Sequence, residues 1–301
     1  MSQGERFAAI DVGSNTILLT VAEYDADSGR LTVIEEGEDQ PRLGAGMSAI
    51  GALGEAAMSR AIQALTTMGD TCLRLNATRI QAVATAAVRE AGNGDEFVQR
   101  ARDAGIPLRV ISPETEAALT FRSAAYRFPG DEPMLVADVG GGSLELIGAM
   151  GGSIRLCRSL PLGAVRLTEM HASSEELRAH LGQGLRGAIH TTEWAGARIV
   201  GSGGTFATLA SMVLARRASG RHEIHGTQVS ASEAKLLLES LDVMSPDQRR
   251  RTPGLRPERA DIIVAGLAAV VELLSVTGSD VVTISGFGLR DGLLLEMAGL
   301  M

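Results

Sequence analysis

The feature that most constrains this chain is a repeat. "AAIDVGSNT", residues 8–16, lies over "LVADVGGGS", residues 135–143, and brings Asp11 onto Asp138 and Gly13 onto Gly140. In each copy an apolar run climbs to an aspartate, breaks at glycine and resumes as a second apolar strand. A turn and a third strand follow, through "DADSG" in the first copy. Two related segments, each opening a stretch of domain size, predict a duplicated architecture before any single residue is weighed.

The 301 residues suit two domains better than one. Strands are expected at about 6–12, 16–24 and 30–37, from β-branched alternation and the glycine turns. A helix over about 55–75 would put Met58, Ile62, Leu65, Met68 and Cys72 on one face. "RIQAVAT" and "PLRVIS" read as short strands with the helix "GDEFVQRARDAG" between them, and Ser112-Pro113 opens the next helix as cap and first-turn proline. Turn residues cluster in "PGDEP", 129–133, which sets the expected domains at 1–128 and 129–301. The order βββαβαβα, twice over, predicts an α/β fold with a mixed sheet and helices on both faces in each half. A ligand would sit in the cleft between the halves, beyond the strand ends.

Composition excludes several classes. A net charge of −8 opposes broad binding to nucleic acid or anionic membrane, and 3% aromatics leave little for base stacking. The longest apolar run, Ile262–Val271, is too short to span a bilayer, and "MSQGERFAAIDVG" lacks the apolar core of a signal peptide. Cys72 and Cys157 stand alone, as thiols of a reducing cytoplasm do, and the five histidines, 171, 180, 190, 222 and 225, form no metal cluster in sequence. The expectation is a soluble cytoplasmic protein. An anionic ligand would need local arginines, backbone amides or a metal against the global charge.

The glycine turns supply amides. Glycine tolerates positive φ and has no side chain to block a phosphate, so "DVGSN" and "DVGGGS" fit two facing phosphate-binding hairpins. A third turn, "GSGGTFATLA", leads from a strand into a helix whose first amides can receive an anion. Alternation from Leu144 and Leu146 puts Ser143 and Glu145 together on the other face, so Asp138 and Glu145 can both face the ligand. Two carboxylates with water and substrate phosphates suit magnesium. Glu114 and Glu116 fall in the first turns of a helix, where the dipole alone accounts for them. Arg89 and Arg166 have the chemistry to fork onto phosphate, and by sequence alone each reads first as a surface arginine.

Eight motifs in order carry a resemblance: "AAIDVGSNTILLTVAE", "ATAAVREAGN", "VISPETEAALTF", "VADVGGGSLELIG", "LPLGAVRLTE", "GSGGTFATLA", "RADIIVAG" and "ISGFGLRDGLL". The chain resembles the exopolyphosphatase and guanosine pentaphosphate phosphatase family, which shares the actin, sugar-kinase and heat-shock-ATPase fold. The resemblance implies two actin-like, ribonuclease H-like domains. It implies Glu116 as the catalytic base and Asp138 and Glu145 as magnesium ligands, with Asp11 a further candidate. Phosphate would be held by Gly13, Ser14, Asn15, Thr16, Gly140, Gly141, Gly142, Ser143, Gly203, Gly204 and Thr205, with Arg89 facing it. Three positions depart from the family pattern: Pro113 for a glycine, Thr115 for a glutamate beside Glu116, and Leu144 for a threonine. The chain looks like the short, two-domain form.

The implied activity is magnesium-dependent release of the terminal phosphate of inorganic polyphosphate, with a monovalent cation as a further candidate cofactor. The alternative is 5′-phosphate removal from guanosine pentaphosphate (pppGpp). More distant readings are an ATP-dependent small-molecule kinase and a non-catalytic phosphate sensor. A homodimer is left open.

Overall fold

The β-branched alternation at the N-terminus becomes an antiparallel run of three strands, β1 (Glu5–Val12), β2 (Ile17–Asp25) and β3 (Arg30–Asp39). Parallel strands β4 (Arg79–Ala84) and β5 (Leu108–Val110) extend the sheet on the other side of β1, giving the order β3-β2-β1-β4-β5. Successive β1 side chains alternate between two faces. Ala8, Ile10 and Val12 share a core with Met58, Leu65, Met68 and Cys72 of the helix Glu55–Arg74 and Phe97 of the helix Gly94–Asp103. Phe7 and Ala9 share another with Val83 and with Leu119 of the helix Pro113–Arg127. Both faces are therefore covered, which explains why β1 reads as an almost continuous apolar run.

The computed structural model of the protein describes residues 4–170, 173–190, 193–217 and 223–300. His171 and His222 lie outside the described residues.

The chain divides into two units, Met1–Ser123 with Leu289–Met301, and Ala124–Gly288. The sequence reading broke the chain at "PGDEP" and gave the whole C-terminus to the second half. Here the crossing falls inside the Pro113–Arg127 helix, and the last helix, Leu289–Met297, returns to the first unit. Burial drives the return: Leu289, Leu293, Leu294 and Met297 share a core with Phe7, Ala9 and Val83. Gly292 lies so close to the Leu119 carbonyl that no Cβ would fit.

The second unit repeats the first. Strands β6 (Met134–Val139), β7 (Leu144–Met150) and β8 (Ser153–Leu160) are antiparallel, and β9 (Arg198–Ser202) lies parallel to β6. After β10 (Gln228–Ser230) comes β11 (Val281–Ile284), parallel to β9, and the sheet order is β10-β11-β9-β6-β7-β8. Read from the third hairpin strand inward, both sheets run 3-2-1-4-5, the duplicated α/β arrangement that the repeat implied. β10 is an addition the sequence reading lacked. The second core gathers Leu144, Leu146 and Trp194 with the apolar faces of the helices Ser174–Ala188, Gly203–Arg216, Ala231–Asp242 and Ile263–Thr277. No helix among the described residues is long and apolar enough to cross a membrane.

Candidate active site

The register of the second sheet brings its polar side chains into one row. Asp138 on β6 stands opposite Glu145 on β7, Glu145 opposite Ser159 on β8, and Asp138 beside Ser202 on β9. Partners across adjacent strands share a face, with Cβ atoms about 5 Å apart. Two carboxylates are thus neighbours on the face opposite Leu144 and Leu146. Glu145 is 3% exposed, and Ser159 Oγ donates to its Oε1 at 2.9 Å. It is a buried, oriented group and not a solvated strand residue.

Asp138 is only partly exposed. Burial pushes its carboxyl up from 3.8 to about 6, against the opposing pull of the Ser202 hydroxyl and the Arg259 charge. A carboxyl with this proton affinity is poised to exchange the proton for a cation near neutral pH. Two oxygen-bearing side chains in a row, with bare amides beside them, fit magnesium, which keeps water and substrate oxygens for its remaining positions. Among the described residues no group of three His, Cys, Asp or Glu side chains comes together.

The glycine turns meet this row from two sides. The β6–β7 turn is closed by Gly140 N–H donating to the Ser143 carbonyl at 3.0 Å. The β9 end runs into the helix Gly203–Arg216, whose N-cap, Ser202, makes no side-chain cap bond. The first amides of that helix have no intrahelical acceptor. Gly203 adopts φ +83, and a Cβ there would run into the Asp138 carboxylate, so glycine is required twice over. Thr205 is turned inward: its hydroxyl donates to the Val139 carbonyl at 3.1 Å, leaving its backbone amide as the group an anion could use.

Arg259 is the residue that sequence reasoning missed. Its guanidinium lies against Gly204, with no room for a Cβ, and its charge reaches Asp138. A cation held at the positive end of a helix is unfavourable alone and favourable once an anion joins them. The signal was available: "RADIIVAG" begins at Arg259 and Gly204 belongs to "GSGG", but nothing in the sequence joins the two.

In the first unit, the β1–β2 turn is closed by Gly13 N–H to the Thr16 carbonyl, again at 3.0 Å. Ser14, Asn15 and Thr16 are buried, and Asn15 Nδ2 donates to Thr16 Oγ1 at 3.2 Å. Asp11 lies opposite Leu18 and beside Val83. Glu116, near the start of its helix, meets Arg89: Nη1 donates to Glu116 Oε2 at 3.1 Å and to the Ile111 carbonyl at 3.0 Å. Their side chains are 12% and 19% exposed. Both contacts run through one nitrogen, so the rest of the guanidinium keeps donors for an oxyanion. The three departures are accommodated locally. Pro113 opens the helix, Thr115 N–H donates to Ser112 Oγ at 3.2 Å, and Leu144 is fully buried in the second core. Glu114, exposed, has its carboxyl lowered by its own backbone amide, by Ser112 and by the Arg89 charge.

A cavity of about 450 Å³ elsewhere in the second unit, lined by Arg178, Lys235, Glu272 and Asp280 among others, contains none of these groups. Its mixed charges give no preference for phosphate.

The Ppx/GppA phosphatase family model matches residues 20–300. Exopolyphosphatase 2 of Mycobacterium tuberculosis is 32% identical over 98% of this chain and 99% of its own. The crystal structure of an Aquifex aeolicus Ppx/GppA family member superposes with TM-score 0.80 at 29% identity, covering 98% of each chain. An exopolyphosphatase from Cytophaga hutchinsonii superposes with TM-score 0.90 at 24% identity over 99% of each chain, a likeness of fold.

Proposed function

The chain belongs to the Ppx/GppA phosphatase family and is a phosphoanhydride hydrolase of the exopolyphosphatase type, and from that premise we propose that it removes the terminal phosphate of inorganic polyphosphate with magnesium as cofactor. The observation that carries the reading is the Asp138–Glu145 pair, two carboxylates opposite each other beside the open amides of the β6–β7 turn.

Asp138 and Glu145 would hold the metal, which when bound supplies positive charge against the phosphate oxygens. The amides of Gly141, Gly142 and Ser143, with those of Gly203, Gly204 and Thr205, would bind phosphate oxygens, and the turn Gly13–Thr16 would do the same from the first unit. Arg259 adds a fixed charge at the helix end. Glu116, whose Oε2 accepts from Arg89 Nη1 at 3.1 Å, would take the proton of the attacking water. Phosphoryl transfer has a loose transition state, so positioning and electrostatics carry most of the catalysis. Both cysteines remain thiols, and we assign the activity to the cytoplasm.

The test is phosphate release by purified protein with magnesium, compared across medium-length polyphosphate, long polyphosphate, pppGpp and ATP. The reading expects release from polyphosphate. Release from pppGpp alone would replace the substrate while keeping the residues and their roles. Transfer of phosphate to an acceptor, or no turnover at all, would overturn the hydrolase reading.

A further inference from the structure

The β6–β7 turn is held from behind by its own carbonyls. Ala164 N–H donates to the Gly140 carbonyl at 2.9 Å, and Val165 and Arg166 N–H donate to the Gly141 carbonyl at 2.9 and 3.2 Å. Arg166 Nε then takes the Gly142 carbonyl at 3.0 Å. Three consecutive carbonyls therefore point to the start of the helix Ala164–Met170. In a trans peptide the N–H points opposite to the C=O of the same plane, and the chain has no cis peptide among the described residues. The N–H groups of Gly141, Gly142 and Ser143 must then face away from that helix. None of the three donates a hydrogen bond within the described residues. Gly163 allows this contact: a Cβ there would collide with Gly141 O, Gly142 C and Ser143 N.

The geometry points to Arg166 as a positioning residue for phosphate binding: its Nε holds the third carbonyl and so aims the Ser143 amide, completing a three-amide anion site begun by the helix backbone. This rests on the phosphate chemistry proposed above, but it assigns Arg166 a role different from the one its charge suggests. What the turn uses is the Nε donor at a fixed place and not the charge of the side chain. Two of the three carbonyls are held by backbone and would survive any substitution at Arg166. The side chain alone holds the third.

Side-chain length gives a clean test. Glutamine places Nε2 the same number of bonds from Cα as arginine places Nε, and it is neutral. Lysine keeps the charge but has a methylene at that position. Protein labelled with ¹⁵N-glycine and ¹⁵N-serine would be titrated with imidodiphosphate, a non-hydrolysable diphosphate, in wild type, Arg166→Gln and Arg166→Lys. In wild type the Gly141, Gly142 and Ser143 amide signals should shift. Arg166→Lys should weaken binding about tenfold or more, the scale of one hydrogen bond to a charged group, and should shrink the Ser143 shift most. Arg166→Gln should stay within about threefold of wild type, under half of that energy. Amide signals that do not respond in wild type, or any order in which Gln does not bind better than Lys, would overturn the assignment. If the amides respond as described while wild type releases no phosphate from polyphosphate, the hydrolase reading fails and the positioning role stands.

Discussion

The two units start from the same device and end with different chemistry. Each opens with an antiparallel three-strand run, and each closes its first turn with a glycine N–H at 3.0 Å from the carbonyl three residues on. Across the strand ends the rows then differ. The first unit reads Val83, Asp11, Leu18, Glu38, and the second reads Ser202, Asp138, Glu145, Ser159. One leucine separates the acids of the first row, whereas the acids of the second are neighbours. The duplicated backbone supplies amides twice, and only the second sheet supplies adjacent carboxylates for a cation. Even the turns are braced differently. In the first unit the backbone N–H groups of Arg42 and Gly44 hold the Asn15 and Ser14 carbonyls at 3.1 and 2.7 Å, while the second uses a helix start and the Arg166 side chain. On the reading proposed here, the metal ligands belong to the second unit and the proton-accepting carboxylate, Glu116, to the first.

Breaking the second row should have the largest effect. Asp138→Asn removes a proposed metal ligand, and losing about 4 kcal/mol of charge stabilisation is roughly a thousandfold in rate. Initial rates on polyphosphate at high magnesium would measure it, and a rate near wild type would remove Asp138 from the site.

Gly203→Ala should come next. It forces a side chain into a left-handed backbone at φ +83 and into the Asp138 carboxylate. The backbone conformation alone costs about 1–2 kcal/mol of stability, visible as a lower melting temperature, and magnesium affinity should fall with it. A variant with wild-type melting and magnesium response would show that the close approach carries no weight.

Asp138 also predicts a pH dependence. Its pKa rises from 3.8 to about 6 on folding, so the folded protein holds this proton more tightly than the unfolded chain does. The stability this group contributes is full below about pH 4 and is lost as pH rises through about 6. Melting of metal-free wild type should therefore decline over that window relative to Asp138→Asn, and added magnesium should cancel the decline by favouring the ionised form. A wild-type profile parallel to that of the variant would contradict the burial argument.

The smallest effect should come from the outer acid of the first row. Glu38 is exposed and lies beyond Leu18, so Glu38→Gln should change stability by no more than about 0.5 kcal/mol. The magnesium concentration giving half activation should stay within about twofold, a difference of roughly 0.4 kcal/mol. A large shift would mean that the first row also handles the cation.

Most of this comparison was legible in the sequence. Repeats, glycine turns and alternation depend on neighbours a few residues apart, and they placed β1 to β4 and the Glu55–Arg74 helix within about two residues, with the aspartate-glycine turns between the hairpin strands. Alternation also put Glu145 opposite Leu144 and Leu146, as the register has it. What escaped depends on contacts distant in the chain. The Leu289–Met297 helix returns to the first unit through a core shared with Phe7, which an amphipathic pattern cannot reveal. Arg259 meets Gly204 across 55 positions, and Arg166 meets the Gly142 carbonyl with its Nε, an atom no motif specifies.

The central claim is a division of labour between a carboxylate that holds the cation and one that takes the proton. The measurement that tests it most directly is phosphate release from medium-length polyphosphate across a magnesium titration, for wild type, Glu116→Gln and Glu145→Gln. Glu116→Gln should lose about 10²–10⁴-fold in turnover, the usual contribution of a general base, with its half-activating magnesium concentration unchanged. Glu145→Gln should need roughly tenfold more magnesium, the scale of one lost charge contact, and recover part of its rate when supplied with it. Normal turnover in Glu116→Gln, or the same magnesium shift in both variants, would contradict the account.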